Sequence, residues 1–268
     1  MFDTILKTII FGSEADERMM LQVKLATTPA DMERVYLLRH DVFVREMSVS
    51  TTDVDRWDAW SDHLMVQEVM TGKVVGCYRL LPGPRGEATG FYSETMFDLS
   101  PIRGWMAKSV ELGRSCILPE YRNGKVIQLL WKGIADYMRN VKATRLFGCT
   151  SLFTEIHGIS MQKLYGLLKG QQVIQTQPMI RPMFPSGITY DETTPEQVDL
   201  RIFLRQVPPL LKGYLQMGCR IYGEPAKSPD FDSYVLFTML DLTQMDEQYV
   251  RHFFGVSNIR EMELELQY

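Results

Sequence analysis

The sequence predicts an α/β domain with a mixed central sheet flanked by helices. Two strand-like runs joined by Thr71–Gly72–Lys73 read as an antiparallel hairpin. A third run, Ser109 to Leu118, leads through a turn into a long amphipathic helix and then a fourth run, Arg145 to Thr150. A strand–helix–strand order of this kind pairs its strands in parallel through a right-handed crossover.

Each element has a local reason. Ala30 to Glu46 carries Met32, Val35, Tyr36, Leu38 and Phe43 at apolar positions, with Thr28 or Pro29–Ala30–Asp31 to start a helix. An acidic loop with tryptophans follows, Thr51 to Asp62. Leu64–Val69 and Val74–Leu81 form the hairpin, and Pro82–Gly83–Pro84 reads as its end. A loop with Phe91, Tyr92, Phe97 and Trp105 precedes the third strand. Pro119 to Gly124 is a turn. The helix beyond it places Val126, Leu129, Leu130, Ile134 and Met138 on one face. Ile159 to Leu168 reads as another helix, Leu200 to Leu215 as further helical packing, and Tyr234 to Leu240 as a late strand. The expected division is an N-terminal segment (1–25), a catalytic core (26–175), a C-terminal part completing or extending it (176–256) and a polar tail (257–268) that frays or projects.

Composition narrows the function. The 268 residues are 45% hydrophobic, enough for a sizeable core. A formal net charge of −4 argues against general nucleic-acid binding. Cys77, Cys116, Cys149 and Cys219 form no CxxC pair, which fits buried thiols in a reducing cytosol. Asp53-x-Asp55 lacks the further ligands and glycine of a calcium loop, so no metal is expected. No GxSxG is present. No apolar run reaches the roughly 20 residues that span a bilayer. Met1 to Phe11 has helical apolar spacing, readable as a packed helix or a membrane-surface foothold.

The chemistry concentrates between Val110 and Arg122. A strand carrying Glu111-x-x-Arg114 runs into a turn with Arg122, Asn123, Gly124 and Lys125 that opens a helix. Amides at a helix start attract phosphate, and flanking cations strengthen that. Upstream stand Arg39-x-x-x-Phe43, Asp55-x-x-Asp58, Arg79 and Phe97. In order and spacing this set resembles the acyl-homoserine lactone synthases, a branch of the GNAT acyl-CoA N-acyltransferase superfamily. Leu38–Phe43, Asp62-His63-Leu64, Gly76–Pro82, Gly90–Glu94, Glu111–Cys116, Leu146–Cys149 and Pro208–Leu215 resemble more closely the ornithine-lipid-forming N-acyltransferases, then the long-chain N-acyl amino acid synthases. The likeness covers roughly Val35 to Phe254.

That resemblance implies a GNAT fold and transfer of a long acyl chain, 3-hydroxylated in the ornithine-lipid case, to an α-amine without an acyl-enzyme. Glu111 would be the general base, directly or through a water, and backbone amides from Gly113 to Cys116, beside Arg114, would hold the oxyanion. Asp55 and Asp58 would hold the acceptor's cationic side chain or amine, and Arg79 would take its carboxylate or order the acidic loop. Arg39 and Phe43 complete the acceptor and acyl environment. Phe43, Phe97, Trp105, Phe147 and Phe153 could line an acyl tunnel. The competing readings are a buried ion pair of Glu111 with Arg114 or Arg39, a solvated acidic loop, and plain core for the aromatics.

Two departures bear on the substrates. The phosphate loop, Arg122-Asn123-Gly124-Lys125-Val126-Ile127, has one glycine where the superfamily pattern has two. This favours the single phosphate of a carrier protein's phosphopantetheine, held by Arg122 and Lys125, over coenzyme A. Ser48–Val49–Ser50 stand where lactone synthases carry a Trp. From Arg103 to Arg145 nine Lys/Arg face three acids, a net of +6 that would steer an acidic acyl carrier protein. The expectation is a cytoplasmic enzyme, with peripheral contact at the membrane's inner face. Alternatives are another amino-acid acceptor, lactone synthesis, or a non-catalytic acyl-binding module.

Overall fold

The computed structural model describes residues 20–48, 53–153, 160–188, 205, 207–228 and 233–267. The expected N-terminal helix and Leu200–Phe203 lie outside the described residues. β1 (Leu21–Leu25) is a strand the sequence reading missed, although Leu21 and Val23 alternate into the core. α1 (Pro29–Arg39) starts at Thr28, whose side chain accepts from the Asp31 amide while the Asp31 carboxylate accepts from the Thr28 amide. It continues as a π-helical turn, His40–Glu46. β2 (Asp62–Glu68) and β3 (Val74–Pro82) form the expected hairpin.

Pro82–Gly83–Pro84 does not simply end β3. It opens α2 (Gly83–Thr89), because proline suits the first helical turn. A Cβ at Gly83 would lie 1.7 Å from the Met106 carbonyl oxygen, so this corner needs glycine. The aromatic loop contains two 3-10 turns, Tyr92–Thr95 and Ser100–Lys108, and the two-residue β4 (Phe97–Asp98). Then come β5 (Ser109–Ile117), α3 (Lys125–Val141), β6 (Arg145–Leu152), α4 (Met161–Gly170), β7 (Ile174–Gln175) and β8 (Arg181–Pro182). α5 (Pro209–Gln216), β9 (Arg220–Tyr222), β10 (Ala226–Lys227), β11 (Tyr234–Asp241) and α6 (Ile259–Gln267) complete the described chain.

The main sheet runs β1-β2-β3-β5-β6-β11-β9-β7, with β10 also on β11, while β4 pairs with β8 separately. β5 and β6 are parallel, as the crossover demands, and β11 lies antiparallel to β6. The 176–256 part therefore supplies strands to the same sheet as the core. Successive residues point to opposite faces. Leu146 and Leu240 join α3 in one core, while Phe147 and Met239 join Phe91, Phe97 and Phe237 in another.

The C-terminal segment differs from the frayed tail expected. Met262 and Leu266, four residues apart on α6, are buried in the α3-side core. Two apolar residues at helical spacing suffice to dock a charged helix. No helix among the described residues is long and apolar enough to cross a membrane.

Candidate active site

β5 and β6 pair at three positions: Ser109 with Arg145, Val110 with Leu146 and Glu111 with Phe147. Beyond these each strand follows its other neighbour, β5 along β3 to Ile117 and β6 along β11 to Leu152. The two strands open into a wedge. Gly148 stands at its apex, where a Cβ would meet the Leu112 carbonyl oxygen at 2.4 Å. A cavity of about 30 Å³ lies against the wedge, bordered by Leu112, Trp131, Gly148, Cys149, Thr150 and Tyr214.

A β-bulge sits on the other side of β5. Arg114 and Ser115 together oppose Tyr78, between the pairs Cys77–Cys116 and Arg79–Gly113. Arg114 has φ 50°, the left-handed region that is uncommon for a side-chain-bearing residue. Regular alternation would point Arg114 away from Glu111 and Gly113. The extra residue instead brings it to the acidic loop, where Nε meets Asp53 Oδ1 and Nη2 meets Asp55 Oδ2, both at 2.8 Å.

Three arginines and three aspartates form one cluster there. Arg39 Nε donates to Asp53 Oδ2, and its Nη1 donates to Asp58 Oδ1 at 2.7 Å. Arg79 Nη1 donates to Asp55 Oδ1 at 2.6 Å and to Asp58 Oδ1 at 3.3 Å. The formal charges cancel, which makes burial of so many ions tolerable. Arg114 and Asp55 keep side-chain exposures of 22% and 18%, against 1% for Arg39 and 2% for Asp58. The acidic loop is therefore an ion-paired plug rather than a solvated turn.

Glu111 is buried and separate from that cluster; among the described residues it makes no ion pair. Its Oε2 accepts from the Tyr92 amide at 2.9 Å and its Oε1 from the Ser93 amide at 2.6 Å. Burial pushes the carboxyl's pKa up, and hydrogen bonds from the Ser93 side chain and these amides oppose the rise without cancelling it. A carboxylate with a raised pKa suits proton abstraction. The Tyr92 ring lies under both Arg114, at 5.1 Å, and Arg79, at 5.7 Å. The turn at Tyr92–Ser93 thus touches both groups.

Residues 38–132 match the acetyltransferase (GNAT) domain family. The chain's fold is of the GNAT type. Over most of its length the chain is also similar to curated relatives named L-ornithine N(alpha)-acyltransferase. That of Rhizobium meliloti (strain 1021) is 28% identical, over 87% of this chain and 84% of the relative. That of Brucella abortus (strain 2308) is 28% identical, over 93% and 96%. Among solved structures, the AHL synthase LasI is 15% identical, with TM-score 0.47 over 88% of this chain and 95% of that one.

The remaining expected residues scatter. Phe97 and Phe147 pack around Phe237 in the core on the Glu111 side of the sheet, and Phe147 also borders the cavity. Phe43 packs at the margin of the α3-side core, and Trp105 stacks on Arg145 at 4.9 Å. The Cys116 thiol lies 3.5 Å from that of Cys77, and burial pushes its pKa well up. Arg122 grips Glu46 with two hydrogen bonds of 2.6 and 2.7 Å, while Lys125 stands exposed at the first turn of α3.

The basic segment is less basic in space than in sequence. Arg103, Arg114, Arg122, Arg139 and Arg145 pair with Glu94, Asp53 and Asp55, Glu46, Asp136 and Asp241. Sequence reasoning assigned no role to Tyr92, Ser93 or the Tyr78–Tyr214 hydroxyl pair at 2.8 Å. The phrase Gly90–Glu94 was legible as family-like, but its contact with Glu111 depends on tertiary packing.

Proposed function

We propose that the protein transfers a long, 3-hydroxylated acyl chain from the phosphopantetheine of an acyl carrier protein to the α-amine of ornithine. The product would be a lyso-ornithine lipid. The observation that carries this reading is the wedge between β5 and β6 with Glu111 at its apex. Leu112, whose backbone borders the wedge, and the buried Glu111 carboxylate are neighbours on one strand. The names of the relatives supply ornithine.

In this mechanism the thioester enters the wedge. The β5 amides from Gly113 to Cys116 face the developing oxyanion. Glu111 takes the proton of the acceptor amine. Arg114 and Asp55, the more exposed pair of the ion cluster, meet the acceptor's carboxylate and side-chain ammonium. Of the two roles expected for Arg79, this reading takes the ordering of the acidic loop, and Asp58 joins it in holding that pair in place. Gly124, Lys125 and the first amides of α3 face the donor's phosphate, with Arg122 beside them.

The test is product formation read by mass spectrometry. Purified protein is given 3-hydroxypalmitoyl carrier protein or palmitoyl-CoA with a panel of amino acids. N-acylornithine from the carrier donor is the expected result. Another acylated amino acid would move the acceptor, product from the CoA donor alone would overturn the carrier assignment, and no product anywhere would reject acyl transfer.

A further inference from the structure

Arg114 is the most exposed arginine of the ion cluster, at 22%, and it stands on a bulge at φ 50°. Its Nε and Nη2 meet Asp53 and Asp55, and neither aspartate takes Nη1. The Tyr92 ring covers the guanidinium, with its centroid 5.1 Å from the guanidinium carbon. The ring is itself held. Trp57, on the loop that carries the two aspartates, packs edge-on against it at 5.2 Å. Trp57 Nε1 donates to the Gly90 carbonyl at 3.0 Å, and Thr95 Oγ1 donates to the Tyr92 carbonyl at 2.7 Å. The Tyr92 amide donates to Glu111 Oε2 at 2.9 Å. One residue thus touches the guanidinium with its ring and the buried base with its backbone. A carboxylate is gripped well only by a guanidinium held flat and in one place. Stacking on an aromatic face gives an exposed arginine that restraint.

We propose that Tyr92 is a positioning residue that sets acceptor specificity: its ring holds Arg114 with Nη1 offered to the acceptor's carboxylate. Acceptors with a free carboxylate are then taken in preference to amines without one. This rests on the acyl-transfer reading above, in which Arg114 touches the acceptor and Glu111 takes the amine's proton. The amine and carboxylate of an α-amino acid share one carbon, so their two protein partners must keep a fixed separation. Tyr92 contacts both partners and is anchored by Trp57 and Thr95, which is the arrangement such a spacer needs. The ring face carries the effect, so a phenylalanine serves in its place and an aliphatic side chain does not.

The test compares the full-length wild type with Tyr92→Phe and Tyr92→Ala. Initial rates are measured with 3-hydroxypalmitoyl carrier protein and either L-ornithine or L-ornithine methyl ester, which keeps both amines and lacks the carboxylate charge. Melting temperature is the control. The wild type should prefer ornithine. Tyr92→Ala should raise the KM for ornithine about 5-fold or more, leave the KM for the carrier donor little changed, and shrink the preference over the ester by a similar factor. Tyr92→Phe should keep the preference. Tyr92→Leu, which keeps bulk without a π face, supplies the same comparison should the alanine variant not fold. An unchanged preference in the alanine or leucine variant overturns the proposal. So does a loss of equal size with both acceptors, the mark of a merely structural role, or a phenylalanine variant as impaired as alanine. A wild type that takes both acceptors equally overturns it too. A wild type that acylates neither overturns the acyl-transfer reading and this inference with it, a result distinct from any effect of Tyr92.

Discussion

Arg39 donates from Nη1 and Nη2 to the two oxygens of Asp58, at 2.7 and 3.1 Å, with both side chains sealed from solvent. Nineteen residues separate them, so the bond ties α1 to the acidic loop. Arg39→Ala would leave Asp53 and Asp58 short of their buried counter-ion. Urea denaturation should show a loss of about 3–5 kcal/mol, the usual cost of breaking a buried pair from one side. A loss under about 1 kcal/mol, the range of surface pairs, would mean that the cluster rearranges.

Stability should fall on acidification in two stages. Burial alone would raise the Asp58 pKa, but the bonds and charge of Arg39, the Asp55 amide and the charge of Arg79 hold it below the usual range. Its contribution is complete above the unfolded value of about 3.9 and drains as pH falls through the lower folded value. Burial also depresses His63, whose Nδ1 has no hydrogen-bond partner among the described residues. The fold resists charging it, so its contribution begins to be lost below about pH 6.5. Relative to wild type, His63→Gln should flatten the upper stage of a pH series of urea melts and leave the lower one.

Gly148→Ala should damage both fold and activity. The new methyl would press on the Leu112 carbonyl, where the wedge starts. Overpacking of this kind costs about 1–3 kcal/mol. A melting curve and a transfer assay together should show a lower melting temperature and a larger drop in kcat than that shift explains. An alanine variant of unchanged activity would remove the wedge apex from the mechanism.

Met262→Ala should destabilise the protein by about 2–5 kcal/mol, as expected for a buried methionine. Truncation before Ile259 should do at least as much. Denaturant midpoints of both variants close to that of the wild type would return this segment to the status of a tail.

The hairpin, β5, α3, β6 and β11 were legible in the sequence because each rests on local signals. Thr71–Gly72–Lys73 turns the chain, and the α3 stripe from Val126 to Met138 repeats at helical spacing. α2 was not, because Pro82–Gly83–Pro84 stops a strand and starts a helix with the same letters. β1 was missed because five residues make a strand only when β2 is there to receive them.

At the site, the sequence by itself determined which residue types were present and in what order: Glu111 before Arg114, the aspartates of the acidic loop, and the cations at the start of α3. Tertiary structure alone decided who meets whom. The bulge at Arg114 turned a side chain to the face that alternation denied it. Asp55 and Asp58 became partners of three arginines, and Glu111 took its hydrogen bonds from Tyr92 and Ser93. Helix and strand propensities act over a few residues, whereas these charges are neutralised across gaps of 14 to 61 residues. A buried ion takes whichever counter-ion the packed sheet brings within reach, and no local pattern records that choice.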